Sequence, residues 1–98
     1  MTVTMMALYK EPADREKFEK HYFETHIPLV KKIPGLQKVE VSRFSGKSAP
    51  YYLMATLYFN NKDERKAGLG SPEGQATTDD LPNFADPSSV TIAFAEII

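Results

Sequence analysis

The chain has 98 residues, 42% hydrophobic and 26% charged, which is typical of one globular domain spanning residues 1–98. Twelve Lys and Arg against thirteen Asp and Glu give a net charge of −1, so nothing favours nucleic acid or an acidic membrane surface as partner. No apolar run approaches the roughly 20 residues that cross a bilayer. The absence of cysteine excludes disulfides and Cys-ligated metals. Together with the lack of a signal-peptide pattern, it favours a cytoplasmic protein.

Four segments have the composition of β-strands. They are short, rich in apolar, aromatic and β-branched residues, and bounded by Gly, Pro or polar turn residues. The second alternates, with Val39 and Val41 on one face and Leu36 and Phe44 on the other. The predicted strands cover Thr2–Tyr9, Leu36–Phe44, Tyr51–Phe59 and Ser89–Ile98.

A helix is predicted between the first two strands, over the sequence EPADREKFEKHYFETH (residues 11–26). Pro12 suits a first helical turn, and Asp14 and Glu16 are acidic near the positive end of the helix dipole. Pro28 is expected to end or kink this helix, with a further turn over residues 29–33. Residues 60–87 contain Gly- and Pro-marked breaks and are expected to form two short helices.

The predicted order is therefore β-α-β-β-α-β, which indicates an α+β, ferredoxin-like fold with one four-stranded antiparallel sheet. Helices can cover only one face of such a sheet, but the third and fourth strands are apolar on both faces. A bare second face would be a larger apolar patch than monomers usually expose. A two-fold homodimer, packed sheet against sheet, would cover it; the alternative is an exposed, adhesive face.

Both histidines of the chain lie in the predicted first helix. Residues four apart share one side of a helix, so Phe18, Tyr22 and His26 form a stripe. A ring, a phenol and an imidazole next to the Pro28 break indicate a site that opens onto a cleft. The alternative is that His26 only interacts with the carbonyls at a helix C-terminus. His21 lies on another face and is expected to point to solvent.

Other chemistries match the sequence poorly. His21 and His26 are five residues apart, whereas a helical zinc pair needs four, so no metal site is predicted. The sequence GLGSPEG (68–74) lacks the GxGxxG pattern of a nucleotide loop, and SRFSGKS (42–48) lacks the first glycine of a P-loop. TTDD (77–80) is interpreted as capping or turn chemistry rather than a calcium loop.

The sequence resembles the EthD family, named for ethyl tert-butyl ether degradation, within the dimeric α+β barrel superfamily. The resemblance rests on LYKEPADREKFEKHYFETHIPLVKKIPGL (8–36) and DLPNFADPSSVTIAFAEI (80–97). It implies a ferredoxin-like subunit paired sheet to sheet, with a cleft between helices and sheet. Related barrels include cofactor-free isomerases, cyclases and monooxygenases in which a histidine and a tyrosine supply acid–base chemistry. Those roles fall here on His26 and Tyr22. Phe18, on the same helical stripe, is predicted to bind the substrate.

Two classes of function follow. The first is a cofactor-free isomerase, cyclase, lyase or oxygenase of a small hydrophobic or aromatic compound, in which His26 moves a proton and Tyr22 positions an oxygen. The second is a non-catalytic binding or accessory protein of a catabolic pathway that holds such a compound in the same cleft. Both predict a small-molecule ligand and neither requires a metal or cofactor.

Overall fold

The computed structural model describes all 98 residues, Met1–Ile98, and its strands follow the predicted order. Neighbouring strands are antiparallel, and the sheet order is β2-β3-β1-β4. The predicted α+β, ferredoxin-like fold with a four-stranded antiparallel sheet is confirmed. The strands are β1 (Val3–Tyr9), β2 (Leu36–Arg43), β3 (Leu53–Phe59) and β4 (Val90–Glu96).

Two helical arms connect the strands. The first contains α1 (Arg15–His21), one π-helical turn (Tyr22–His26) and α2 (Ile27–Val30). The second contains α3 (Lys62–Leu69), α4 (Pro72–Asp80) and two short 3₁₀ helices (Leu81–Asn83 and Pro87–Ser89). The helices cover one face of the sheet, where alternate residues of β3 are buried, as are Val3, Ala7 and Tyr9 of β1. None of these helices has both the length and the hydropathy needed to cross a bilayer.

The first helix differs from its prediction at its start. It begins at Arg15 rather than near Pro12, because the Asp14 side chain accepts the backbone N–H of Lys17 and caps it. At Pro28 the helix is interrupted rather than ended: an irregular turn precedes the proline and α2 continues through it to Val30, in agreement with the predicted alternative of a kink followed by a further turn. The turn before the proline is widened, so that the N–H of Ile27 bonds to the carbonyl of Tyr22, five residues back.

The second strand is irregular at its start. Leu36 pairs with Phe59, but the register shifts between Leu36 and Lys38. Over this stretch β2 has one residue more than β3, which is a β-bulge. Leu36 therefore packs against the core beside Val39. The prediction that strict alternation places these two side chains on opposite faces is wrong, because the bulge resets the alternation.

Polar contacts fasten α1 to the sheet. Glu19 accepts a hydrogen bond from the Tyr52 hydroxyl and another from Arg43 Nη2 at 2.6 Å. Tyr52 lies just before β3, and its backbone N–H also donates to the carbonyl of Tyr9 at 2.7 Å. The helix that carries both histidines is thereby held at a fixed place over the sheet.

The second helical arm approaches the core closely at one glycine. A Cβ at Gly68 would overlap the carbonyl oxygen of Pro34 and would lie 3.1 Å from both Ile33 Cγ2 and Phe59 Cε1. The close approach of α3 to the loop before β2 therefore depends on the missing side chain.

We expect Gly68→Ala to lower the free energy of unfolding by about 1–3 kcal/mol, because backbone overlap outweighs the gain in helix propensity. Urea unfolding followed by circular dichroism measures the change. Lys66→Ala, an exposed substitution in the same helix, is the control and should change stability by less than about 0.5 kcal/mol. Equal stability of Gly68→Ala and the wild type would contradict the close packing.

Candidate acid–base site

The site is organised around Asp80, in the last turn of α4. Its carboxylate is nearly buried, with 8% of the side chain exposed. It accepts hydrogen bonds from His21 Nε2 at 2.9 and 3.0 Å, from His26 Nδ1 at 3.0 Å and from Asn83 Nδ2 at 3.1 Å. The carboxylate thus joins the first helical arm to the second.

The π-helical turn is what allows both histidines to reach one carboxylate. In a regular α-helix, residues five apart differ by about 140° in direction, at 3.6 residues per turn. A turn closed by an i→i+5 hydrogen bond brings such residues close to one side of the helix. The expectation that His21 points to solvent is therefore wrong, because the widened turn directs His21 to Asp80.

An aromatic cluster surrounds the two imidazoles. The Tyr22 and His26 rings are nearly parallel, with centroids 5.4 Å apart, and Phe18 stacks on the other side of Tyr22 at 5.5 Å. Phe84, just after Asn83, contacts both imidazoles, at centroid distances of 5.5 Å for His21 and 4.6 Å for His26. This packing restricts how the imidazole rings can turn.

Tyr22 and His26 line the same small cavity between the helices and the sheet. Its volume is about 70 Å³, and its other walls are mostly apolar, with Ile92 at the exposed edge strand. The hydroxyl of Tyr22 is buried without a hydrogen bond of normal geometry, and the group that interacts with it is the side chain of Tyr9. His26 uses Nδ1 for Asp80, and Nε2 makes no hydrogen bond to the protein. The cavity therefore has a phenol and an imidazole among its lining residues.

Phe18 borders a different space from the one predicted. It is buried behind Tyr22 and lines an open groove of about 520 Å³, which His21 and Phe84 also line. It does not line the cavity that holds His26. The substrate-binding role of Phe18 stays a prediction, and its observed contacts are with the other aromatic rings.

The charges of these groups are set by burial and by the shared carboxylate. Burial lowers the pKa of His26, and the hydrogen bond and charge of Asp80 oppose that shift without cancelling it. Burial acts to raise the pKa of Asp80, but hydrogen bonds from Asn83, His21 and His26 together hold it below the usual range. The site therefore pairs a neutral imidazole with an ionised carboxylate at neutral pH.

The two phenols beside the imidazoles keep their protons. Burial raises the pKa of Tyr9 to about 12 and raises the pKa of Tyr22 further. Both hydroxyls are therefore hydrogen-bond donors throughout the physiological range.

Comparisons with known proteins place the chain in a family. The model of the EthD domain matches residues 10–88. The chain belongs to the EthD family. An EthD-family protein from Bacillus halodurans has a crystal structure with a TM-score of 0.93 and 35% identity, covering 100% of both chains. An uncharacterized 11.0 kDa protein in the thcB-thcC intergenic region of Rhodococcus erythropolis is 36% identical, covering 91% of this chain and 88% of that protein. The resemblance inferred from the sequence is confirmed.

More distant structures share the fold of this EthD protein. SnoaB from Streptomyces nogalater, described as a cofactor-independent oxygenase, has a TM-score of 0.70 and 12% identity over 98% of this chain and 92% of its own. A dimeric protein of unknown function and ferredoxin-like fold from Bacteroides fragilis has a TM-score of 0.71 and 21% identity, over 98% and 96%. At these identities the likeness concerns the fold alone.

The sequence did not reveal the second half of the EthD site. The interpretation of residues 77–80 as capping or turn chemistry is wrong for Asp80, which lies in α4 and binds both histidines. Asn83 and Phe84 were also missed. The available signal was an acidic residue followed by the short sequence LPNF, which is weak by itself.

His21, His26 and Asp80 form a hydrogen-bonded group, and no three His, Asp or Glu side chains are arranged to hold a metal ion.

The pKa shifts predict how the stability of this EthD protein depends on pH. The folded-state pKa of His26 lies below 6.5, so the unfolded chain binds that proton first as the pH falls. The contribution of His26 is complete above pH 6.5 and decreases as the pH falls toward its folded-state pKa. The contribution of Asp80, complete above pH 3.8, is lost in turn as the pH falls through its folded-state pKa.

Urea unfolding between pH 7.5 and 3 measures this decline. We expect His26→Gln to flatten the upper part of the curve, below pH 6.5. Glu16→Gln, an exposed substitution on α1, is the control and should keep the wild-type slope there. A His26→Gln curve parallel to that of the wild type would show that His26 carries no linked proton.

Proposed function

We propose that this EthD protein is a cofactor-independent acid–base enzyme, a cytoplasmic homodimer that acts on a small hydrophobic or aromatic compound. The observation that carries the proposal is the Asp80–His26 hydrogen bond, with Tyr22 lining the same cavity as His26. An oriented imidazole and a buried phenol are the two groups that proton transfer at a carbonyl compound requires.

The first step follows from the tautomer of His26. The carboxylate of Asp80 accepts a hydrogen bond from Nδ1–H of His26, so the free lone pair of the neutral imidazole is on Nε2. Nε2 takes a proton from the carbon next to a substrate carbonyl, and the electron pair of that C–H bond forms an enolate. The Tyr22 hydroxyl donates a hydrogen bond to the enolate oxygen, where negative charge develops. Asp80 stabilises the imidazolium and keeps its orientation.

This step is common to the reactions that the sequence left open. Return of the proton to another carbon completes an isomerisation. Attack of the enolate on a second carbonyl of the same molecule forms a ring and an alkoxide, and return of the proton from His26 to that alkoxide completes a cyclisation. Transfer of an electron from the enolate to O₂ begins a cofactor-free oxygenation. SnoaB, a cofactor-independent oxygenase with the same fold, supports the last of these as chemistry compatible with the fold.

The size of the cavity supports a limit on the substrate. The cavity, of about 70 Å³, is well below the roughly 300–1,000 Å³ of a typical ligand pocket. Only the reacting end of an organic compound would enter it. The apolar remainder would lie along the cavity mouth at Ile92, which is 49% exposed on the helix-facing side of β4. This arrangement favours a compound with an apolar body and an enolisable carbonyl.

Deuterium exchange tests the first step without knowledge of the complete reaction. A panel of small aromatic ketones and lactones is incubated with the protein in D₂O, and loss of the protons next to the carbonyl is followed by NMR. We expect His26→Gln to lower the exchange rate by about 10²–10⁴ while affinity changes little. Tyr22→Phe should lower it by about 10². His21→Gln should have a smaller effect, because His21 acts only through Asp80.

Glu24→Gln, an exposed substitution within the π turn, is the control for this series and should leave exchange unchanged. Binding of a panel compound with no exchange above the solvent rate would instead identify a binding protein. No binding and no exchange across the panel would count against both functions.

The homodimer is proposed from the second face of the sheet. That face carries Met6 and Leu8 of β1 opposite Thr56 and Met54 of β3, and no helix of the chain covers it. The EthD resemblance implies sheet-to-sheet pairing, and a distant structure with this fold is described as dimeric. Burial of roughly 800 Å² per subunit would give a stable interface of standard size.

Light scattering should give a mass twice the 11.0 kDa of the chain. Met54→Lys should shift the mass toward that of the monomer, because two charges would be buried at the interface. Lys47→Glu, in the loop before β3, is the control and should stay dimeric. A wild-type monomer at micromolar concentration would contradict the pairing.

A further inference from the structure

We infer that Pro28 is a positioning residue of the acid–base site: it keeps the turn before it π-helical, and that turn directs both His21 and His26 to Asp80. The inference concerns how the proposed enzyme builds its site, and in that respect it rests on the proposed function. Its geometric part can be tested without a substrate.

Pro28 has the position at which a proline opposes a regular helix. In a continuous α-helix its ring would clash with the carbonyl of Glu24, four residues back, and it has no N–H to donate to that carbonyl. The π-helical turn covers Tyr22–His26 and so includes Glu24. In a regular α-helix the N–H of Ile27 would bond to the carbonyl of Phe23. In this turn it bonds instead to the carbonyl of Tyr22.

The side chain of Pro28 has no other evident role in the fold. It is exposed, does not belong to the hydrophobic core and lines neither the small cavity nor the open groove beside His21. Its immediate neighbour Ile27 and the more distant Val30 are buried and hold α2 against the core. A proline at this exposed position therefore affects the backbone rather than the packing.

The consequence for the site is geometric. With a regular α-helix through residue 28, His21 and His26 would differ by about 140° in direction, and one carboxylate could not accept from both. With one extra residue in the turn, the imidazoles converge on Asp80 at N···O distances of 2.9 and 3.0 Å. The alternative cause of the π turn is the pair of hydrogen bonds from the two histidines to Asp80.

Two variants separate these causes, each studied by NMR in ¹⁵N,¹³C-labelled protein. Through-hydrogen-bond couplings identify the carbonyl that each backbone N–H uses. In Pro28→Ala we expect the Ile27 amide to switch from Tyr22 to Phe23, and the backbone N–H gained at position 28 to couple to the carbonyl of Glu24. The imidazole N–H signals of His21 or His26 should then lose the low-field shift that Asp80 confers. In Asp80→Asn the coupling between Ile27 and Tyr22 should persist.

Pro72→Ala is the matched control, an exposed proline at the start of α4, where its missing N–H is unneeded. It should leave every coupling and both imidazole signals unchanged. If Pro28→Ala keeps the Ile27–Tyr22 coupling, or if Asp80→Asn loses it, the inference is wrong. Should Pro28→Ala not fold, Pro28→Lys is measured, and unfolding of both would show that Pro28 serves the fold instead.

The effect of Pro28 on catalysis is measured in a separate experiment. Where the wild type exchanges deuterium into a panel compound, Pro28→Ala should lower the rate by about 10², as a small misplacement of a catalytic group does. A wild type that catalyses no exchange contradicts the proposed function but leaves the NMR comparison decisive for the role of Pro28. Retention of full exchange after the amide couplings have switched would show that the turn does not position the site.

Discussion

The carboxylate of Asp80 is the contact on which the arrangement of the site depends. A buried carboxylate is stable only when hydrogen bonds replace the water it has lost, and here two imidazoles and one amide do so. Because the histidines lie in the first helical arm and Asp80 in the second, these bonds also fix how the arms meet. The groups that hold the two helical arms together are therefore the same groups that take part in the proposed reaction.

The order of the strands and their antiparallel pairing could be predicted from the sequence, because each strand shows its composition locally. The start of the first helix and the alternation of β2 could not. The cap at Asp14 and the bulge after Leu36 are each decided by a few hydrogen bonds, to which the periodicity of apolar residues is nearly insensitive.

The site could be predicted only in part, because some of its residues are far apart in the sequence. The spacing of Phe18, Tyr22 and His26 correctly placed three rings together, because four-residue neighbours meet on an α-helix up to Tyr22 and remain close across the π turn. Asp80 is 59 residues from His21 and 54 from His26, so their meeting is a property of the tertiary fold. The five-residue spacing of the histidines was dismissed on the assumption of uniform α-helical geometry, which the π turn does not obey.

The π turn also has a consequence for how related sequences can vary. It contains one residue more than an α-helical path would need between His21 and Ile27. Deletion of one residue between the two histidines would let that turn become α-helical and leave the histidines four residues apart, on one side of the helix. Insertions and deletions are usually tolerated in loops, but this turn is a place inside a helix where the loss of one residue keeps the flanking segments in phase. A one-residue gap here, when sequences are aligned, would therefore mark a protein that has lost the π turn and can still direct two histidines to one carboxylate.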